Sequence, residues 1–535
     1  MAPVAQPLQT VRKDLLARLA EDRVFDIAVV GGGATGLGVA LDAAARGFSV
    51  VLLESHDFAK GTSSRATKLV HGGVRYLAQG NISLVREALH ERTTLLHNAP
   101  HLAQPLAFVV PFYHWWEAPF YGIGLTAYDL LAAKAGLGKT RFLGLRATGK
   151  ALPTVRMEGL KGGVQYWDGQ FNDARLALAL ARTAATRGAL LVNYCAATGI
   201  LYEDGKICGL SAQDTLTQQA YRVRARCVVN AAGVWVDTLR EMDSQAHSAG
   251  GGRTVKPMLA PSQGVHIVVD RSFLDSDTAL MVPKTSDGRV LFAVPWLGKV
   301  ILGTTDTPRN DLAREPMPFA EEVEFIMREA GRYLRKAPSR DDIKSIWVGL
   351  RPLVKPQDDD GESTKALSRE HTVIVSRSGL VTVTGGKWTT YRAMAEDVIR
   401  KCEEKGLMQR RPEGQTLDLR LVGAEFGPEF SPVSMCKAEG LHSYGGEGSL
   451  LLKVQGAEVM LANGLSEAMV RFAARHEYAV TVEDMLARRS RMLFLDARLA
   501  AQLAARVAEI LKEETGLDPK TDEFAQLSAQ YLRIP

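Results

Sequence analysis

FDIAVVGGGATGLGVALDAAARGFSVVLLES, residues 25–55, is the stretch whose reading decides the fold. IAVV is a short apolar run rich in β-branched residues, GGGATG follows at once, LGVALDAAARG has helical spacing and stops at glycine, and SVVLLE is a second buried run. Strand, turn, helix and strand in that order predict a parallel sheet covered on both faces. Gly31, Gly33 and Gly36 fill a Gly-x-Gly-x-x-Gly pattern. The first glycine permits the tight turn, the second admits a pyrophosphate against the backbone, and the third lets helix and strand approach. A phosphate there meets the free N–H groups and positive dipole of a helix N-terminus. Glu54, ending the second strand, is placed to accept hydrogen bonds from an adenosine ribose. The motif predicts dinucleotide binding without choosing between FAD and NAD.

The sequence beyond residue 55 makes that choice. HDFAKGTSSRATKLVHGGVRYL (56–77) is polar and glycine-punctuated, too rich in Ser and Thr for a plain third strand, and reads as a loop laid along a ligand. VVNAAGVWVD (228–237) is a third β-run ending in small residues, and VTVTGGKWTTYRAMAEDVI (381–399) is a strand, a paired glycine and a helix start. Together these segments resemble the glutathione-reductase-like FAD fold of the D-amino-acid-oxidase superfamily. GVHIVV (264–269), ILGTTDT (301–307), GLRPL (349–353), LSREHTV (367–373) and GGKWTTYR (385–392) occur in the order found in the FAD-dependent, respiratory glycerol-3-phosphate dehydrogenases. The resemblance runs from about Val24 to about Lys405 and continues weakly beyond.

It implies an α/β chain with a Rossmann-like FAD-binding domain in three pieces (24–98, 155–257, 345–405) and an inserted α+β substrate cap (99–154, 258–344). A helical extension (1–23) precedes these, and a helical C-terminal domain (406–535) follows. It also implies oxidation of sn-glycerol 3-phosphate at C2 to dihydroxyacetone phosphate, with electrons passed through FAD to membrane quinone.

Such a reaction needs a proton acceptor and a cation to steady alkoxide charge. His266, Arg351 and Lys387 match the family here, with His266 the first choice of base and the other two polarising the substrate oxygen. Arg75, Tyr76 and Arg369 match its phosphate-binding positions, where a guanidinium fork suits a dianion. The flavin set is Gly31, Gly33, Gly36, Glu54, Thr62, Ser63, Ser64, Gly233, Gly385, Gly386 and Thr389. Arg65 stands where the family usually has a small residue and is expected to tune the site or face outward.

Composition agrees with a soluble enzyme: 46% of the 535 residues are apolar and 23% charged, which excludes disorder and collagen-like repeats. Sixty-five basic against sixty acidic residues is too even for the clustered basic stripe of a nucleic-acid binder. Five dispersed cysteines without a Cys-x-x-Cys point to a reducing compartment and no zinc site. No metal is expected: QDDDGES (357–363) has Pro356 where an EF-hand needs its first acid.

No run is long enough to span a bilayer, and residues 8–22 read as a surface amphipathic helix whose acids argue against a transit peptide. Residues 105–138 hold Phe112, Tyr113, Trp115, Trp116, Phe120, Tyr121 and Tyr128, with Lys134, Lys139 and Arg141 beside them. The pattern fits equally a lipid-interface segment and a buried cap helix; the family resemblance favours monotopic attachment, on the inner face of the cytoplasmic membrane. The oligomeric state stays open, a homodimer among the options. The helical tail carries Arg488, Arg489 and Arg491, expected on a solvated helix face. A glycerol-3-phosphate oxidase, an amino-acid oxidase and a non-catalytic flavoprotein scaffold are the competing readings.

Overall fold

The computed structural model describes residues 6–73, 81–132, 135–246, 255–355, 370–425 and 432–535. The opening motif forms the strand Val24–Val30, the helix Ala34–Ala45 and the strand Val50–Leu53. Val24–Val30 pairs in parallel with Val50–Leu53 on one side and with Ala220–Asn230 on the other. Leu190–Val192 and Leu380–Gly385 extend the parallel sheet outward, and His371–Val375 closes one edge antiparallel. Ile27, Ala28 and Val29 are wholly buried, because helices and a β-hairpin leave the sheet no bare face. The chain leaves Val30 toward Val50–Leu53 while Ala220–Asn230 lies on the opposite side. That divergence opens a crevice at the carboxyl ends of the strands, the place where open α/β sheets bind ligands.

A second sheet of ten strands, mostly antiparallel, packs beside the first. It takes in three strands that the sequence reading assigned to the nucleotide-binding domain. Leu69–Val70 and Ala103–Phe112 both pair with Gly162–Phe171, and Ser345–Arg351 pairs with Ser262–Asp270, setting His266 opposite Trp347. All three strands thus sit in the second sheet. Apolar patterning reports that a strand is buried, and its partner is set by contacts far away in sequence.

The helix Arg12–Leu19 buries Leu15 and Leu19, and Arg12 donates to the carbonyls of Asn193 and Tyr194 and to Asp214. Residues beyond 432 form a helical body around Glu467–His476, Ala497–Thr515 and Thr521–Leu532. Its core continues into the second sheet through Trp296 and Trp347. Between two of these helices the chain forms a π-helical turn, Asp484–Arg489, and the short helix Met492–Leu495.

The three arginines there are buried, which corrects the solvated-face reading. Arg488 and Arg489 converge on Asp57 just after the second motif strand, and Arg488 also binds Glu483 at 2.7 Å and Asp484 at 2.9 Å. Arg491 donates to the Ser64 carbonyl at 2.6 Å. Buried guanidinium groups persist where carboxylates and carbonyls balance them, and two of those partners, Asp57 and Ser64, come from the nucleotide-binding body.

Candidate functional site

A single cavity of about 620 Å³ follows the crevice from the glycine turn to the junction of the two sheets. Its volume lies within the usual range for ligand sites. At one end Gly31 and Gly33 form the wall. Gly31 has φ +109°, and a Cβ there would lie 2.5 Å from the Ala231 carbonyl oxygen. Gly36 stays behind the wall, where a Cβ would lie 1.9 Å from the Gly31 carbonyl oxygen, so it serves close packing. Glu54 is pinned by hydrogen bonds from the Gly32 amide at 2.7 Å and the His56 amide at 2.9 Å, which aims its carboxylate along the cavity. His56 beside it is held neutral at about 4, chiefly by burial and then by the Arg314 and Lys60 cations. Arg314, which no sequence signal marked, lies 3.7 Å over the Trp235 ring and lines this end as well.

The middle of the cavity is walled by Thr62, Ser63, Gly233, Gly385, Gly386 and Thr389. Ser63 Oγ accepts from the Ala34 amide at 2.9 Å, and Thr62 Oγ1 donates to the Leu350 carbonyl at 2.6 Å. Ser64 departs from expectation: it is 1% exposed and absent from the cavity wall, its carbonyl being taken by Lys68 and Arg491. Arg65 departs too. It turns inward to Glu315 at 2.6 Å and to the Val348 carbonyl at 3.2 Å, tying the loop to the second sheet.

At the far end the structure brings together His266, Arg351 and Lys387, from three separate segments. His266 is 2% exposed, stacks on Trp347 with centroids 4.1 Å apart, and meets Thr67 Oγ1 through Nε2 at 2.9 Å. Burial, then the Lys68 and Arg351 cations, drive its imidazole well below the ordinary range, so it is neutral. Arg351 is anchored by Asp306 at 3.1 Å, Thr304 Oγ1 at 3.1 Å and the Thr305 carbonyl at 2.9 Å. Lys387 Nζ is buried where the turn after Gly386 meets the cavity. Thr67 and Asp306 are functional neighbours that sequence reasoning passed over, although ILGTTDT contains one of them. Arg75, Tyr76 and Arg369, and residues 357–363, lie outside the described residues.

These walls fit FAD. The cavity offers a helix N-terminus with no cap from its own N-cap side chain, an acid at the ribose position, and two positive-φ glycines beside the paired-glycine turn. A Cβ on Gly385 would lie 2.7 Å from the Glu370 carbonyl oxygen, so backbone alone can form that wall.

The helix Glu117–Ala132 divides the aromatic segment between the two environments the sequence left open. Tyr128 and Leu125 are buried, as is Phe112 in the preceding strand. Trp115, Trp116, Phe120, Ile123 and Leu130 are at least 66% exposed. Lys139 and Arg141 are exposed nearby.

Comparison with known proteins agrees. Residues 26–392 match the model of the FAD dependent oxidoreductase family, and residues 415–522 match that of the C-terminal domain of alpha-glycerophosphate oxidase. The mitochondrial glycerol-3-phosphate dehydrogenase SDP6 of Arabidopsis thaliana is 39% identical over 94% of this chain and 84% of its own length. The mitochondrial glycerol-3-phosphate dehydrogenase of Homo sapiens is 38% identical over 97% of this chain and 75% of its own. The crystal structure of glycerol-3-phosphate dehydrogenase from Bacillus halodurans, complexed with FAD, superposes with a TM-score of 0.76 at 30% identity, over 98% of both chains.

Proposed function

The chain belongs to the FAD-dependent oxidoreductase family, among its glycerol-3-phosphate dehydrogenases, and from that premise we propose how its residues oxidise glycerol 3-phosphate and where the electrons go. Bound FAD supplies the hydride acceptor. The observation that carries the reading is the one cavity joining the glycine turn to His266, Arg351 and Lys387.

His266, held at Nε2 by Thr67, is the neutral imidazole that takes the C2 hydroxyl proton. Arg351, held rigid by Asp306 and Thr304, and Lys387 set positive charge beside the developing alkoxide. Arg75, Tyr76 and Arg369 bind the substrate phosphate.

Membrane quinone is the electron acceptor in this proposal. Support comes from the exposed Phe120, Ile123 and Leu130, which recur at helical spacing on one face of Glu117–Ala132, with Trp115 and Trp116 exposed just before the helix and Lys139 and Arg141 exposed after it, as in a helix lying in the lipid interface. No helix among the described residues is long and apolar enough to cross a membrane, so attachment through this face is peripheral. The five cysteines are free thiols, in keeping with the reducing side of a cytoplasmic membrane.

Adding glycerol 3-phosphate to the purified holoenzyme without oxygen bleaches the flavin absorbance, and a quinone analogue restores it. Unbleached flavin overturns the activity. The C-terminal family model carries the name of an oxidase, so reoxidation by oxygen with stoichiometric peroxide, and none by quinone, replaces the acceptor in this reading.

A further inference from the structure

We propose that Lys68 is a positioning residue that keeps His266 unprotonated and oriented, and that the C-terminal helical domain completes the cage holding it. The proposal deepens the reading of His266 as proton acceptor and rests on it for its catalytic meaning. Lys68 is 0% exposed, and its backbone sits at φ +66°, a conformation that a lysine adopts only when its surroundings impose it. Nζ donates to the Ser64 carbonyl at 2.7 Å and to Asp173 Oδ2 at 2.6 Å. The same ammonium lies 4.6 Å from the Trp347 centroid, 5.2 Å from Trp296 and 5.4 Å from Phe494, an aromatic enclosure suited to a cation.

Trp347 is the ring on which His266 stacks, and Thr67, the residue before Lys68, holds His266 Nε2. Two consecutive residues thus grip the imidazole from two directions, one by a hydroxyl and one through an indole. The far side of the enclosure belongs to the C-terminal domain. Phe494 lies 5.4 Å from Trp347, and Arg491 lies 3.5 Å from Asp173, the carboxylate that it shares with Lys68. Lys68 and Arg351 act on His266, while Asp173, Arg491 and Arg65 act on Lys68.

A buried lysine whose ammonium is only partly compensated competes with its neighbour for a proton. Lys68 is brought down to about 7 mainly by burial, and its charge adds to burial, the larger cause, in keeping His266 neutral. Asp173 and Arg491 thereby give the helical tail an effect on chemistry it never touches.

The test replaces the ion pair as a unit, Lys68→Met with Asp173→Asn, with Arg491 keeping its bonds to the Ser64 and Ala487 carbonyls. Holoenzyme labelled with 13C at histidine Cε1 is titrated by NMR, the His266 resonance being identified by its loss in His266→Gln. The His266 midpoint is expected to shift upward, the direction that removing a like charge gives. The acid limb of anaerobic flavin bleaching rises with it. A double variant that binds FAD and melts as the parent does, with the His266 midpoint unmoved, overturns the proposal. If His266→Gln bleaches at the parental rate, the proton-acceptor reading fails on its own, and the NMR midpoint still decides the role of Lys68.

Discussion

Phe120→Ser combined with Ile123→Ser removes two apolar side chains from the centre of the exposed stripe without touching the cavity. Phe120 is 71% exposed and Ile123 72%, so nearly three-quarters of each surface is available to lipid and little of it supports the fold. Full burial of such a side chain is worth about 2 kcal/mol, which scales to about 1.4 kcal/mol for the exposed share of each. That is roughly tenfold in partitioning per residue and about a hundredfold for the pair. Co-sedimentation with vesicles containing anionic lipid measures the partition constant, and anaerobic bleaching by glycerol 3-phosphate in detergent-free buffer checks that the active site is intact. A double variant that partitions like the parent refutes lipid contact through this helix. Equal loss of bleaching and partitioning refutes the separation of face from cavity.

The remaining expectations bear on the fold and the site. Gly36→Ala places a methyl group 1.9 Å from the Gly31 carbonyl oxygen, so the turn shifts and purified protein loses its FAD, read as the ratio of flavin to protein absorbance. Asp57→Asn leaves Arg488 and Arg489 buried without their shared carboxylate and lowers stability by about 3–5 kcal/mol in denaturant titration, whereas a parental midpoint denies that cluster a structural role. Thr67→Val frees His266 Nε2 and lowers the limiting bleaching rate by roughly tenfold, the usual effect of losing one orienting hydrogen bond, with FAD content unchanged. His101, 7% exposed, is brought down to about 3 mainly by burial, with Arg175 and Arg182 adding to it. Its folded value lies below the unfolded one, so its contribution is complete above the unfolded value of about 6.5 and fades as pH falls toward the folded one. At pH 5 the loss is about 2 kcal/mol, and His101→Gln flattens the fall in unfolding free energy between pH 7 and 5, read by denaturant titration, by that amount.

Local signals carried much of this. The glycine pattern with its flanking apolar runs forecast the first strand, the helix and the second strand, because backbone crowding and burial leave few alternatives over thirty residues. Gly385 and Gly386 were legible for the same reason. Ser64 was misread because its neighbours Thr62 and Ser63 do line the cavity, and direction within a short turn depends on φ and ψ rather than on residue type. Arg488, Arg489 and Arg491 were expected in solvent because a charged side chain on a polar segment ordinarily meets water; the distant carboxylates Asp57 and Asp173 help to balance them in the interior.

The sequence by itself determined the dinucleotide turn, the α/β class, the family and the residue types that oxidation of an alcohol needs. Tertiary structure alone decided that Gly162–Phe171 and Ser345–Arg351 join the second sheet, that Thr67 and Trp347 hold His266, and that one face of Glu117–Ala132 is bare. The reason is range. Turns and helix starts follow from forces acting within a few residues, whereas strand partners, buried ion pairs and exposed faces depend on which surfaces far apart in the chain exclude water together.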